Sequence, residues 1–414
     1  MAHRHYNEPY TPPRWTIDLS LPPTDRYRRL ARAYKDAIRG LTGLFDSLLR
    51  DIAVPEKWIP TMNRLSRLLL RRVNDSSQTE ELRGIAEESG GVRSLEKGQP
   101  FSEAKMLHFR TLDWSMDPLR QILVQLDFVR SKSDSPEQVL ASSITYVGFT
   151  GVLTGVRPGL SMSLNFRGLH DNSSKAAQFR FYFHHLLVLL GRRPSIASYL
   201  RGYLTGDHED VERSLGSTWK SARKPRATKR SLQPAQLADV HKKISSYHTT
   251  AAYLIFSDGD STMSIDKDFR TAKMRHAADF IATTNHDVVE HKEDQQENIV
   301  AARAVQSAAR HAAGFDEFLD ESEDRLKCIS NRWQRLVVKK QKEAARLGRS
   351  ISMKATAAQT WLNQKQVIDW VSKYPTTNEC THFAAVMDPK DGNVVWCRAY
   401  PEPRTSEDQL QLEG

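Results

Sequence analysis

Strand-like and helix-like patterns come in blocks along this chain of 414 residues, and that order most constrains what it can fold into. A doubly wound parallel sheet needs βα units in regular succession. Here a group of short apolar segments separated by turn residues precedes helices, and a second such group follows a basic linker. The expectation is an α+β fold in which antiparallel sheet is packed by helices. The clearest local signal lies near the C-terminus, where Phe383-Ala-Ala-Val-Met-Asp388, the turn Pro389-Lys-Asp-Gly392 and Asn393-Val-Val-Trp-Cys-Arg-Ala-Tyr400 read as a hairpin.

At the other end Trp15, Ile17, Leu19 and Leu21 alternate with Arg14, Thr16, Asp18 and Ser20, a half-buried strand stopped by Pro22-Pro23. Thr24 and Asp25 can cap a following helix, in which Tyr27, Leu30, Ala31, Tyr34, Ile38, Leu41, Leu44, Phe45 and Leu48 recur at three and four residues. A second stretch sets Trp58, Met62, Leu65, Leu69 and Val73 against Arg64, Arg67 and Arg71. It reads first as a core-packing helix with a solvated basic face; the functional alternative is an interfacial helix resting on anionic lipid.

From Lys105 the character is β, with strands expected at Met106 to Trp114, Gln121 to Val129, Ser143 to Val152 and Leu160 to Phe166. Helices are expected at Ala176 to Leu190 and Ser195 to Leu204. A second β group follows at Thr249 to Phe256, Thr262 to Asp266 and Phe280 to Thr284, and helices resume at Glu297 to Gln341 and Thr356 to Val371. The division that results is a disordered N-terminus over 1–11, a strand and helices over 12–90, a core over 91–403 carrying a basic loop at 216–235, and a disordered tail over 404–414.

Three cysteines, Cys328, Cys380 and Cys397, are too few and too scattered for a disulfide framework or a Cys-x-x-Cys zinc site. The net charge of +10 is mostly local, because the window Lys220 to Arg230 holds six basic residues and no acid. A solvated loop accounts for that window and no nucleic acid is expected as a partner. The longest apolar runs, such as Leu186 to Leu190, fall far short of the roughly 20 residues of a membrane span. No apolar leader follows Met1, so a cytoplasmic location is the default expectation, with peripheral membrane contact as an addition to it.

The polar residues alone offer few sharp constellations. His184 and His185 point to different faces of a helix, and His286 and His291 are spaced for neither a helical nor a strand ligand pair, so no metal or cofactor is expected. In His108-Phe-Arg-Thr-Leu-Asp-Trp114 an Arg and an Asp punctuate an apolar strand. Three apart they face opposite sides, so a shared site requires the strand to end or bend between Thr111 and Asp113; otherwise they serve structure. Thr283-Thr-Asn-His-Asp287 reads as a turn or a site rim.

A family resemblance bears on these readings. His108-Phe-Arg-Thr-Leu-Asp-Trp114 resembles the His-Gly-Arg-Asn-x-Asp-[FW] motif of the acid ceramidase and N-acylethanolamine amidase family. Tyr146-Val-Gly-Phe-Thr-Gly-Val-Leu-Thr-Gly-Val-Arg-Pro-Gly-Leu160 is similar to its Gly-Tyr-Val-Gly-x-Leu-Thr-Gly-x-[KR]-Pro-Gly signature. Val124-Gln-Leu-Asp-Phe128, Leu164-Asn-Phe-Arg167, Thr284-Asn-His-Asp287, Glu323-Asp-Arg325 and Ile17-Asp-Leu-Ser-Leu-Pro-Pro23 are further matches in the family's order. The resemblance implies an N-terminal-nucleophile hydrolase-like αββα sandwich of antiparallel sheets, preceded by a small strand-plus-helices segment that autoproteolysis separates in active members. It implies an N-acyl lipid such as ceramide as substrate and a freed N-terminal Cys as nucleophile. By motif, Arg110 and Asp113 would position and tune that nucleophile, Asn285 would donate to the oxyanion and Arg325 would complete the polar network. Trp114, Tyr146 and Phe166 would contact substrate, Phe166 standing where some members carry a Glu.

The chain departs from the pattern at the decisive place. Fungal-type members read Gly-Cys-Thr-Ser-Gly-Gly-Val upstream of the Arg-x-x-Asp motif, whereas this chain reads Ile85-Ala-Glu-Glu-Ser-Gly-Gly-Val-Arg93, and no cysteine precedes Cys328. Ser89 has no evident base, and Cys380 matches the family's C-terminal hairpin. The expectation is a ceramidase-like amidohydrolase at family level whose present sequence does not hydrolyse or self-cleave, either because coding sequence between Glu88 and Gly90 is missing or because the chain is a lipid- or partner-binding pseudoenzyme.

Overall fold

The computed structural model describes residues 10–41, 44–51, 55–69, 73, 75–87, 105–168, 170–171, 173–207, 237–288 and 315–403. Ser89, the basic loop at 216–235 and the tail at 404–414 lie outside the described residues, as do 1–9 of the N-terminus and 297–314 of the long helix.

Eight strands form the larger sheet in the order β1 (Arg14–Asp18), β3 (Leu123–Val129), β4 (Ala141–Tyr146), β5 (Thr154–Arg157), β6 (Leu160–Phe166), β7 (Ala252–Ser257), β8 (Thr262–Lys267) and β9 (Ala272–Ala277). A smaller sheet runs β11 (Asn393–Ala399), β10 (Thr381–Asp388), β2 (His108–Asp113). Among the described residues all pairings are antiparallel, as expected, except that of the edge strand β1 with β3, which is parallel. The C-terminal hairpin forms as read: Gly392 turns it with φ 76°, a conformation that disfavours residues with a Cβ, and its N–H donates to Asp388 O at 2.9 Å.

The period-two register decides what each sheet face meets. Ile144, Tyr146, Ser161 and Ser163 face the smaller sheet, where the His108 ring lies 2.8 and 3.0 Å from the Ser161 and Ser163 hydroxyls and Leu112, Phe383 and Ala385 share the core. The opposite face packs helices α8 (Ile196–Thr205) and α9 (Leu237–Ser246) through Leu200, Tyr203, Leu204, Val240 and Ile244. Gly155 lets α8 pack closely there, since a Cβ would stand 2.8 Å from Leu204 Cδ2 and push that side chain aside. On the far side of the smaller sheet, Val367, Ile368 and Val371 of α12 (Gln364–Ser372) pack against Ala384, Val386 and Phe109. Helices α10 (Phe315–Arg346) and α11 (Met353–Ala358) complete that layer, with Arg332 of α10 donating to Trp370 O at 3.2 Å. The expected α+β class and its helix, sheet, sheet, helix layering are what the chain forms. Fully buried Phe128, Ile144, Leu160 and Met162 each contribute about 1.5–3 kcal/mol relative to exposure.

Six short helices follow β1: α1 (Pro23–Arg26), α2 (Arg28–Ala33), α3 (Lys35–Gly40), α4 (Leu44–Asp51), α5 (Ile59–Leu69) and α6 (Ser76–Glu87). The single helix expected over 24–48 is thus broken into pieces, at Tyr27, Tyr34 and Leu41. Glu81 of α6 is completely buried between Arg26 and Arg201, each at 2.8 Å, and Ser198 Oγ donates to Gln78 Oε1 at 2.9 Å. A lone carboxylate there would cost several kcal/mol in lost hydration, which two guanidiniums offset.

Other boundaries move for local reasons. The strand expected over 143–152 is β4, which starts at Ala141 and stops at Tyr146, after which β5 and β6 form a hairpin. The helix at 237–246 lies in what reads as linker. Phe280 to Thr284 is not a strand: a tight turn at Asp268–Thr271 returns the chain so that Ala272–Ala277 pairs with β8, and Phe280 then leaves to stack on Trp333 at 5.0 Å. The 356–371 helix is two, because Asn363 opens α12 with a capping box to Gln366. Helix α7 (Lys175–Leu189), capped by Ser174, joins β6 to α8. Among the described residues no helix is long and apolar enough to cross a membrane.

Candidate functional site

A cavity of about 2190 Å³ lies between the two sheets and helices α10 to α12. Its lining is mostly apolar, with Leu107, Phe109, Ile255, Phe280, Trp333 and Val367 among the contributors, and one polar cluster is set into it at the end of β2.

Along β2 the side chains of His108, Arg110 and Leu112 are buried. Arg110 reaches β6 and donates through Nη1 to Asn165 Oδ1, and its Nε has no partner. Burial pushes its pKa down to about 10, against the opposing pull of Asp113 and Tyr146. The pairing of β2 with β10 then shifts register between Thr381 and Phe383, opposite Leu112 and Asp113, and the strand ends. Asp113 there accepts from Thr381 Oγ1 at 2.6 Å and pairs with Arg325 Nη1 of α10 at 3.0 Å. This termination lets two side chains three residues apart border one cavity. Arg120, buried below, donates to the carbonyls of Thr381, Glu379 and Tyr400 at 2.6, 2.7 and 3.0 Å and fastens the entry to β10.

Trp114 lines the cavity and meets Tyr146 edge-on at 5.8 Å. Tyr146 itself stands behind it, its hydroxyl 2.7 Å from His382 Nδ1, and burial raises its pKa. Tyr146 is therefore not part of the lining, in contrast to Trp114 and Phe166. Asn285 borders the cavity on the other side. Its backbone N–H donates to Ser322 Oγ at 2.7 Å, and its side-chain amide donates one hydrogen to Phe166 O at 2.9 Å, leaving the second. Asp287 fixes that loop by a two-point bond to Arg167 at 2.8 and 2.6 Å and by Tyr253 OH at 2.7 Å. Burial pushes the Asp287 carboxyl up, but Arg167 and Tyr253 outweigh it and hold the group below its ordinary range.

Arg110, Asp113, Asn285 and Arg325 thus line one cavity, with Asp113 and Arg325 in direct contact. Asn165, Arg167 and Asp287 lie inside the quoted motifs, yet their pairings join positions more than 50 residues apart and follow only from the fold. Thr381 gave no signal beyond its place before an apolar strand.

Cys380 also lines the cavity. Burial, with Glu321, Glu379 and Asp113 adding to it, raises its pKa, so it is a thiol rather than a thiolate at neutral pH. Carboxylate neighbours are the reverse of what an activated sulfur needs. Cys397 is buried and its thiol is pushed up further. Among the described residues no three His, Cys, Asp or Glu side chains converge as a metal-holding group.

Residues 10–73 match the model of a family described as the beta subunit of N-acylethanolamine-hydrolyzing acid amidase. The chain is 28% identical over 186 residues to the N-acylethanolamine-hydrolyzing acid amidase of Caenorhabditis elegans, covering 38% of this chain and 48% of that protein. It is 27% identical over 186 residues to the acid ceramidase of Mus musculus, covering 37% of this chain and 45% of that one. The alignments span about half the length of these curated relatives. The solved structure of the C. elegans N-acylethanolamine-hydrolyzing acid amidase ortholog superposes with a TM-score of 0.40 at 19% identity, covering 72% of this chain and 95% of that chain. Taken with the motifs that meet at the cavity, the sequence matches make this chain similar to the acid ceramidases and N-acylethanolamine acid amidases over about two fifths of its length.

Proposed function

We propose that this chain holds an N-acyl lipid amide, ceramide-like or N-acylethanolamine-like, in the cavity, and that the sequence as it stands does not hydrolyse it. The observation that carries this reading is an apolar cavity of about 2190 Å³ whose polar cluster contains two guanidiniums and a carboxylate but, in Cys380, a sulfur held protonated by its surroundings. Such a lining suits an acyl chain with one amide to be oriented. Arg110 and the second amide hydrogen of Asn285 are placed to donate to the lipid carbonyl, Asp113 accepts from its N–H or hydroxyl groups, and Arg325 holds Asp113 in place. Trp114 and Phe166 lie along the acyl chain.

The test uses the purified full chain with a ceramide and an N-acylethanolamine. Quenching of tryptophan fluorescence reports binding and fatty-acid release reports hydrolysis. Saturable quenching with no release is expected. Absence of binding sinks the lipid reading; released fatty acid, or chain cut into subunits, sinks the claim of inactivity. Sequencing the transcript across codons 85 to 95 decides whether a nucleophile segment is missing from this sequence or lost by the gene.

A further inference from the structure

The segment 283–287 carries Asn285 to the cavity and is held from two sides. The larger sheet fixes its ends: Thr283 Oγ1 donates to Ser264 Oγ of β8 at 2.7 Å, and Asp287 accepts from Arg167 and Tyr253. Its middle is fixed by a side chain from another layer. Ser322 of α10, completely buried, accepts the backbone N–H of Asn285 at 2.7 Å on an oxygen that also lies 2.9 Å from His286 Nδ1. The same ring nitrogen stands 3.1 Å from Thr284 Oγ1, so three consecutive residues are tied together around one hydroxyl. Among the described residues that hydroxyl has no other partner.

Ser322 lies three residues before Arg325, on the same face of α10. Arg325 meets Asp113 at 3.0 Å, so a single turn of helix sets both the carboxylate on the β2 side of the cavity and the amide on the other. The direction of a donor decides the strength of its hydrogen bond. One amide hydrogen of the Asn285 side chain goes to Phe166 O at 2.9 Å, and a shift of the backbone nitrogen would swing the remaining hydrogen off its line into the cavity. Burial holds the His286 ring below its ordinary pKa, against the opposing pull of Glu323 and Asp287, so it is neutral at pH 7 and brings no charge to the donor.

We propose that Ser322 is the positioning residue for Asn285, its hydroxyl setting that backbone so that the free amide hydrogen meets the carbonyl of a bound acyl amide. The proposal rests on the lipid reading of the cavity, and two measurements on the full chain keep the two apart. Without ligand, hydrogen exchange at the Asn285 backbone amide should speed up roughly tenfold in Ser322→Ala and in Ser322→Cys, which keeps the volume, and stay near wild type in Ser322→Thr, which keeps the hydroxyl. With ligand, an N-acylethanolamine is compared with an alkyl ether of ethylene glycol of equal chain length, which lacks the carbonyl. Wild type should prefer the acylethanolamine about tenfold, the contribution of one hydrogen bond. Ser322→Ala should lose that preference with ether binding unchanged. Asn285→Ala should lose it too, and the double variant should lose no more than either, because the serine acts through the asparagine. Unchanged exchange in Ser322→Ala, equal weakening of both ligands, or additive losses would each overturn the proposal. Binding of neither ligand by wild type would overturn the cavity reading instead, and the exchange rates would still decide whether Ser322 sets Asn285.

Discussion

Arg325 reaches from α10 to Asp113 at the end of β2, a 3.0 Å contact between two side chains of 6 and 13% exposure, with Thr381 holding the carboxylate's other oxygen. A pair so placed is a weak source of net stability and an expensive thing to break by halves. Arg325→Met should cost about 3 kcal/mol, because it strands a carboxylate away from water. Asp113→Leu combined with Arg325→Met should recover most of that loss. Urea denaturation of the single and double variants measures both, and additive losses would show that the contact contributes nothing as a pair.

Arg110 has a different balance. Its guanidinium is held out of water with only an amide acceptor, and burial lowers its pKa to about 10. Arg110→Met should therefore leave the melting temperature unchanged or higher while lipid affinity falls roughly tenfold, the worth of a charge-assisted hydrogen bond to the ligand. A loss of stability with affinity intact would assign Arg110 to structure.

Acid should loosen this fold. Burial lowers the pKa of His108 to about 3 and of His184 and His382 to about 4. In the unfolded chain each takes up a proton near pH 6.5, so between there and about pH 4 the unfolded state holds more protons and stability falls as pH falls. Asp266, whose pKa burial raises, opposes this at the acid end, and Asp287, held low, adds to it below the ordinary carboxylate range. Melting temperature should be flat from pH 8 to 6.5 and drop by roughly 5 °C or more by pH 5. His382→Gln should flatten that slope. A melting temperature that rises on acidification would contradict the burial of these three rings.

Cys380 should behave as an ordinary, slow thiol. With its pKa raised, alkylation by iodoacetamide at pH 7.5 should run below the rate of free cysteine and climb steeply above pH 9, and a bound lipid should slow it further because the residue lines the cavity. Mass spectrometry of the modified peptide gives the rate. Fast labelling at pH 7 would reopen Cys380 as a nucleophile.

Periodicity located β1, β6, β7, β8, β10 and β11 and helices α7 and α8 closely, because each has its apolar pattern or cap within its own residues. It lost β9, whose mixed residues AKMRHA form a half-exposed edge, and chose Phe280 to Thr284 instead, an apolar run that tertiary packing on Trp333 accounts for. It also merged α1 to α4, since a stripe at three- and four-residue spacing survives short helices that change direction. For the site, Arg110, Asp113, Asn285 and Arg325 are legible through motif, and the bend that lets the first two share a wall was a stated geometric requirement. What no local pattern carries is the partner of each: Asn165 for Arg110 and Thr381 for Asp113 come from different strands, and the carboxylates that keep Cys380 protonated come partly from a helix.

Glu81, locked between Arg26 and Arg201, has a consequence for what a cut in the chain would do. Cleavage anywhere between Glu87 and Lys105 severs the only covalent tie between α6 and β2, but β1 stays hydrogen-bonded to β3 and α6 stays clasped to α8. The halves would run apart on a denaturing gel and travel together through a sizing column: the molecule is already built as a heterodimer whose subunits happen to share a backbone.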